Sequence, residues 1–288
     1  MNVLPFVAAG IGIGSVYALS GVGLVVLYRS SGTLNFAFGA LGAIGAYCAW
    51  SLQGYGLPPA MGWLTGIAVS TALSYAYGRF VAPHLRHRGR VVRAVATLGF
   101  ALFILGCVGL IWSATIPRRL MLPTDHMAIR LFGVRVTYSH LLALGLAFII
   151  VGAITSLLVG TRLGLWMRAL AADRHISSLI GIRVVSVDAM AWLISGLLAG
   201  VAGLLLADLV TLNATYLTFL VIPAIAAAIV GRLQSLVATA LGGLAMGMIE
   251  SILTVVPVAG MYRSAAPFVL ALLFITLAGG GRAAALDE

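Results

Sequence analysis

Charged side chains are absent from residues 30–78, and from seven further intervals: 1–28, 94–117, 136–161, 189–207, 209–231, 233–249 and 264–281. A helix needs about 20 apolar residues to cross a bilayer, because each residue advances it by about 1.5 Å. Most of these intervals hold one such helix, and the longest holds two, divided at Gly54-Tyr-Gly-Leu-Pro-Pro59. The expected spans are residues 4–27, 34–52, 60–80, 95–116, 139–160, 189–208, 216–231, 236–255 and 265–280. The short segment 216–231 carries Pro223, which disrupts a helix interior, and is expected to cross or to re-enter. The chain thus reads as an all-α, polytopic integral membrane protein of about eight or nine helices, forming a single transmembrane domain over residues 1–288. Residues 1–28 have no basic amino-terminal region, so they are expected to persist as the first span.

Composition agrees. The chain is 62% hydrophobic and 8% charged, with a mean hydropathy of +1.13. A water-soluble domain carries about 25% charged residues. Such a chain lacks the polar surface to face water, and its partner solvent is the lipid bilayer. The net charge of +10 does not make it a nucleic-acid binder. Its basic residues, all arginine, are scattered through short loops and form no single stripe. Cys48 and Cys107 lie in apolar runs and read as packing residues.

The arginines orient the chain. With the amino terminus outside, the inner side receives Arg29, Arg79, Arg86, Arg88, Arg90, Arg93, Arg162, Arg168, Arg174, Arg183, Arg232 and Arg282. The outer side then receives Arg118, Arg119, Arg130, Arg135 and Arg263, as the positive-inside rule requires. This topology leaves cytoplasmic loops at about 81–94 and 161–188 and an outer loop at about 117–138. No GxxxxGK[ST] loop is present, so any ATPase belongs to another chain.

Glycine recurs at four-residue spacing: Gly10 and Gly14, Gly62 and Gly66, Gly196 and Gly200, Gly243 and Gly247. Gly39, Gly42 and Gly45 repeat every three residues in SGTLNFAFGALGAIGAY (31–47). Between lipid-embedded helices the hydrophobic force is weak, and small residues permit the close backbone approach that holds them together. These spacings predict a tightly packed bundle.

The segment GIGIGSVYALSGVGLVVLYRSSGTLNFAFGALGAIGAY (10–47) resembles the opening of a known family: the H-type membrane permeases of branched-chain amino acid ATP-binding-cassette (ABC) importers. The corresponding pieces here are Gly14-Ser15-Val16-Tyr17-Ala18-Leu19, Asn35-Phe36-Ala37-Phe38-Gly39-Ala40 and Gly45-Ala46-Tyr47. FGVRV (132–136), the stretch 162–207 and the glycine-rich stretch 224–251 continue the likeness in order. The chain departs from the family at Phe38 and Ala40, where histidine and glutamate are usual, and at Arg232, where glycine is common. The resemblance implies an alternating-access permease of the bacterial inner membrane, with no cofactor. It implies as partners ABC ATPase subunits, a second permease of similar sequence and an extracytoplasmic solute-binding protein. The polar groups lost at positions 38 and 40 leave room for a cargo more apolar than the branched-chain amino acids, such as aromatic acids, and amides or urea are further family cargoes.

The resemblance places Ser15, Tyr17, Asn35, Phe38 and Ala40 near the substrate pathway. Asn35 has two compatible readings, a helix cap whose side chain accepts from a backbone N–H and a polar group on the path. Glu250 lies deep in a span, where a charge is costly, so it must face protein or water as an interhelical lock or a pathway group. Asp208 ends its span at the outer rim, beside Thr211 and Asn213.

In the inner loop, Asp173 can open a short helix over about 172–180, with Leu179 and Ile180 apolar and Gly181 ending it. By composition this is a solvated basic loop. By resemblance it docks an ATPase, through Ala171, Ala172, Asp173, Leu179, Ile180 and Gly181, with Arg168, Arg174 and Arg183 flanking the contact. Enzyme chemistry finds no support: His84 and His87 have no third metal ligand nearby, and no catalytic carboxylate pair or nucleophile motif occurs. An ion-coupled carrier using Glu250 and Asp208 is the alternative to the importer.

Overall fold

The computed structural model describes residues 4–112, 118, 120, 128–131, 134–255 and 265–283. Helices dominate: α1 (Leu4–Ser31), α2 (Phe38–Gly54), α3 (Pro59–Ala76), α4 (Ala82–Leu85), α5 (Arg90–Trp112), α6 (Tyr138–Gly160), α7 (Arg162–Ala172), α8 (Arg174–Leu179), α9 (Val184–Leu209), α10 (Ala214–Phe219), α11 (Val221–Val230), α12 (Leu236–Leu253) and α13 (Ala266–Ala283). A π-helical turn, Tyr77–Val81, joins α3 to α4. The expected outer loop contains a two-stranded antiparallel ribbon, β1 (Ala128–Leu131) with β2 (Val134–Thr137), in which Ala128 faces Thr137. Among the described residues, five helices are long and apolar enough to cross a membrane by themselves: α1, α5, α6, α9 and α12.

α1 and α9 form the centre of the bundle. Val16, Leu19, Val22 and Leu24 of α1 are fully enclosed, as are Trp192, Leu198 and Leu204 of α9. α5 and α6 lie outside and turn Leu102, Phe103, Phe148 and Ile149 outward, as lipid-facing helices do. α10 and α11 are one broken helix. Pro223 has no N–H to give the Phe219 carbonyl, and the two helical segments meet at Leu220.

The glycine spacings predicted from the sequence are the helix contacts. A methyl group on Gly247 would strike the Gly14 backbone, and one on Gly243 would sit 2.5 Å from Ala18 N, so α12 lies directly on α1. In α2 the three-residue repeat serves three neighbours. A methyl on Gly39 would meet the Leu217 carbonyl of α10 at 2.5 Å. On Gly42 it would meet the Ala199 carbonyl of α9 at 2.7 Å, and on Gly45 the Gly66 carbonyl of α3 at 2.6 Å. Successive positions three apart step round a helix by about 60° short of a full turn, which is how one helix presents bare backbone to three others.

The link between α1 and α2 is tied to α5. Arg93 Nη1 donates to the Ser31 carbonyl (2.8 Å) and to Thr33 Oγ1 (3.2 Å). Thr97 Oγ1, one helical turn on, accepts from the Phe36 amide at 3.1 Å. The inner loop is more ordered than a solvated loop: residues 162–172 form α7, capped by Thr161, whose hydroxyl accepts from Gly164 N at 3.3 Å.

Candidate functional site: a carboxylate-bearing cavity and an arginine-rich end

Tyr17 and Glu250 meet across the α1–α12 contact. Tyr17 Oη donates to Glu250 Oε2 at 2.7 Å. The glycines decide this: Gly14 and Gly247, each about one turn from Tyr17 and Glu250 on its own helix, bring the two backbones close enough for a phenol to reach a carboxylate. Both residues line a cavity of about 280 Å³, walled by Tyr216 and Phe219 of α10, Pro223 of α11 and Phe268 of α13. Glu250 is the only acidic or basic residue among the lining residues. The break between α10 and α11 lies at its wall, the position at which broken helices expose backbone to a cargo in membrane carriers.

The other residues expected along a pathway sit in the helix packing of this chain. Ser15 is buried and returns its hydroxyl to the Ile11 carbonyl at 2.7 Å. Phe38 is fully buried and fills the notch left by Gly23 of α1, 2.7 Å from where a methyl would stand. Ala40 is enclosed beside it. Asn35 is also buried, and its Oδ1 accepts from the Ala37 amide at 3.0 Å, ordering the turn that leads into α2. Ala37, not Asn35, occupies the N-cap position itself. Asn35 Nδ2 is enclosed with no hydrogen-bond partner among the described residues.

At one end of the bundle a recess of about 590 Å³ collects Arg29, Arg86, Arg90, Arg93 and Arg174, with Ala171 and Ala172 on its rim. These residues come from α1, α5, α7, α8 and the α4–α5 link, which the sequence reading assigned to one side of the membrane. Arg118 is at the far end, its guanidinium 4.3 Å above the Trp50 ring and its backbone bridged to Leu212.

Beside the recess, Asp173 Oδ1 accepts from His175 N (2.7 Å) and Ile176 N (2.9 Å) and starts α8. Gly181, with φ +87°, ends the turn that follows. Ile176, Leu179 and Ile180 stand out from this helix at 58%, 74% and 70% exposure. Arg174 does not flank them. Its guanidinium turns inward, pairs with Asp188 of α9 and donates to the Ser30 carbonyl of α1 at 2.8 Å.

A family model described as "Branched-chain amino acid transport system / permease component" matches residues 6–278. The chain belongs to that family. It is 29% identical over 257 residues to the high-affinity branched-chain amino acid transport system permease protein BraD of Pseudomonas aeruginosa, covering 84% of this chain and 83% of the relative. It is 26% identical to the LivH permease protein of Escherichia coli K12, with 84% and 83% covered. The probable branched-chain amino acid transport permease protein LivH of Methanocaldococcus jannaschii is 26% identical, with 82% and 76% covered. One solved structure, PsaBC from Streptococcus pneumoniae in complex with Fab, shares the fold at a TM-score of 0.54 and 14% identity, covering 99% of this chain and 95% of that one.

For this multi-pass permease, the sequence pointed to Glu250 and Tyr17 but not to the aromatic wall opposite them. Tyr216, Phe219 and Phe268 lie at span ends, where aromatic residues are ordinary interface anchors and carry no separate signal. Asp188 was also missed. It stands five residues after Arg183 at a span boundary and looks, in sequence, like a solvated end residue. Among the described residues no group of three or more His, Cys, Asp or Glu could hold a metal ion.

Proposed function

We propose that this chain is one permease subunit of an ABC importer of the bacterial inner membrane, moving branched-chain amino acids or related small amphipathic solutes inward by alternating access. Family membership across residues 6–278 carries this reading. The cavity at Tyr17 and Glu250 supports it, because it offers apolar walls and one polar head-group site, the features that suit an amphipathic solute. The partners are an extracytoplasmic solute-binding protein, a second permease that completes the pathway, and ABC ATPases on the cytoplasmic side.

In this reading the arginine-rich end faces the cytoplasm and α8 is the coupling element. Leu179 and Ile180 enter an apolar groove of the ATPase, while Ala171, Ala172, Asp173 and Gly181 shape the turn that presents them. Central apolar anchors dominate such an interface, and rim charges add little. Arg174 transmits motion inward, because it ties α8 to α1 and α9. Ser15, Asn35, Phe38 and Ala40 then act as packing behind the pathway, where they set the position of α2 against α1.

The test is uptake of radiolabelled leucine into proteoliposomes holding the full complex, with binding protein outside and ATP inside. ATP-dependent accumulation is expected. Uptake driven by an ion gradient without ATP would overturn the importer reading.

A further inference from the structure

The arginine-rich recess has an inner neighbour. A chamber of about 20 Å³ shares Ser31, Arg86, Arg93 and Arg174 with it and is lined besides by Tyr77, Trp192 and Asp188. That volume admits one water-sized group. The π-helical turn brings Tyr77 to the chamber, with its ring 4.7 Å from that of Trp192. Tyr77 and Trp192 are only 5% and 1% exposed, yet Tyr77 Oη and Trp192 Nε1 have no hydrogen-bond partner among the described residues. Arg93 Nε is enclosed in the same way. Indole and guanidinium N–H groups only donate, and a phenol donates as well as accepts. Enclosed donors are costly unless an acceptor serves them, so the chamber is built to receive an acceptor oxygen. Asp188 does not serve that need here, because it is taken up by Arg174 and Ser30. Arginine presents a planar fork of donors that fits the oxygens of phosphate two at a time.

We propose that the recess binds a phosphate group, whose oxygens meet Arg86, Arg90 and Arg93 and reach the inner chamber beside Tyr77 and Trp192. An anionic phospholipid headgroup and a water-soluble phosphate share this chemistry. The recess lies at the foot of α5, where Val91, Val95 and Leu98 are exposed as on a lipid-facing helix, so a headgroup can enter with its chains along α5. A bound phosphate joins α5 and the α4–α5 link to the end of α1, which Arg93 and Arg174 already hold. Its binding therefore stabilises the fold, independently of the cargo.

The full-length chain is placed in phosphatidylcholine nanodiscs without ATPase subunits, so that no other phosphate site is present. One arm titrates inorganic phosphate and glycerol 3-phosphate at constant ionic strength and follows the thermal unfolding midpoint. The other adds phosphatidylglycerol to the bilayer and measures, by native mass spectrometry, which lipid stays bound. A response to the soluble pair identifies free phosphate as the ligand, and retention of phosphatidylglycerol over phosphatidylcholine identifies a lipid headgroup. Arg86 and Arg90 are exposed, so Arg86→Gln/Arg90→Gln is expected to fold. It should weaken whichever response occurs about tenfold, as the loss of two charge-assisted contacts implies. Arg88 lies between them in sequence, is exposed and lines neither space. Arg88→Gln should change the response by less than about twofold, as removal of an exposed surface charge does.

No response in either arm would overturn the proposal. Equal losses from Arg88→Gln and the double variant would also overturn it, by showing a general attraction of anions to a basic surface. So would binding that appears only after Asp287 and Glu288 are both replaced by amides, since the chain's own carboxylates would then be the ligand of the recess.

Discussion

Arg174 at the start of α8 is paired with Asp188 of α9, fourteen residues along the chain, and in the same posture it holds the Ser30 carbonyl near the end of α1. Ser30 Oγ also donates to Asp188 Oδ1 at 3.3 Å. One cation thus joins an exposed amphipathic turn to the two central helices of the bundle. A cation at a helix carboxyl terminus is further favoured by the helix dipole. The exposed turn is therefore tied directly to the packed core of the bundle.

Arg174→Ala should accordingly be costly. Losing hydrogen bonds to charged groups costs about 2 kcal/mol each in protected sites, and Asp188 would be left poorly compensated. Asp188→Asn should give a similar loss, and the double variant should be no worse than either single one. The measurement is ATPase activity stimulated by solute-loaded binding protein, alongside thermal stability. Additive losses would show that the two residues act apart.

Leu179→Asp should abolish co-purification of the ATPase and leave the membrane helices folded, because Leu179 is 74% exposed and supports no packing within this chain. Arg183→Ala should change it by less than twofold, in keeping with the roughly 0–1 kcal/mol of an exposed ion pair. A quantitative pull-down separates these. Retention by Leu179→Asp with loss by Arg183→Ala would mean that charge, and not apolar docking, holds the ATPase.

Gly247→Ala should destabilise the bundle by about 2 kcal/mol or more, as overpacking does, because the added methyl collides with the Gly14 backbone. Gly145→Ala is the control. It lies in α6 with nothing within 4 Å of the new methyl, and replacing glycine by alanine in a helix gains about 1 kcal/mol in water. Thermal unfolding in a fixed detergent should therefore move in opposite directions for the two variants.

Arg232→Gly should raise stability by about 1 kcal/mol. Arg232 follows α11 with φ +53°, a left-handed conformation that costs a side-chain-bearing residue about 1–2 kcal/mol. Glycine removes that cost and returns part of the gain as unfolded-chain entropy. The residue is exposed, so no packing is lost. A lower unfolding midpoint would show that the guanidinium makes a compensating contact in the assembled transporter.

What could be read from the sequence was whatever the bilayer itself dictates. The charge-free intervals marked the helices, since a charge in the hydrocarbon layer is expensive wherever it falls. The break at Gly54–Pro59, the interruption at Pro223 and the start of α8 at Asp173 were legible because each depends on local backbone chemistry. Gly10, Gly14, Gly243 and Gly247 announced close contacts in the same way. Which helix each glycine would meet was not legible. A helix in lipid is apolar on every side, so the periodic stripe that tells inside from outside in a soluble protein is faint here. Only the tertiary structure set α12 on α1 and thereby joined Tyr17 to Glu250 across 233 positions of sequence. It also turned Arg174 toward Asp188 rather than toward solvent, and it enclosed Phe38 and Ala40 in the packing. Those outcomes depend on which backbones come within reach of one another, and that is decided by the assembled bundle and by no single stretch of the chain.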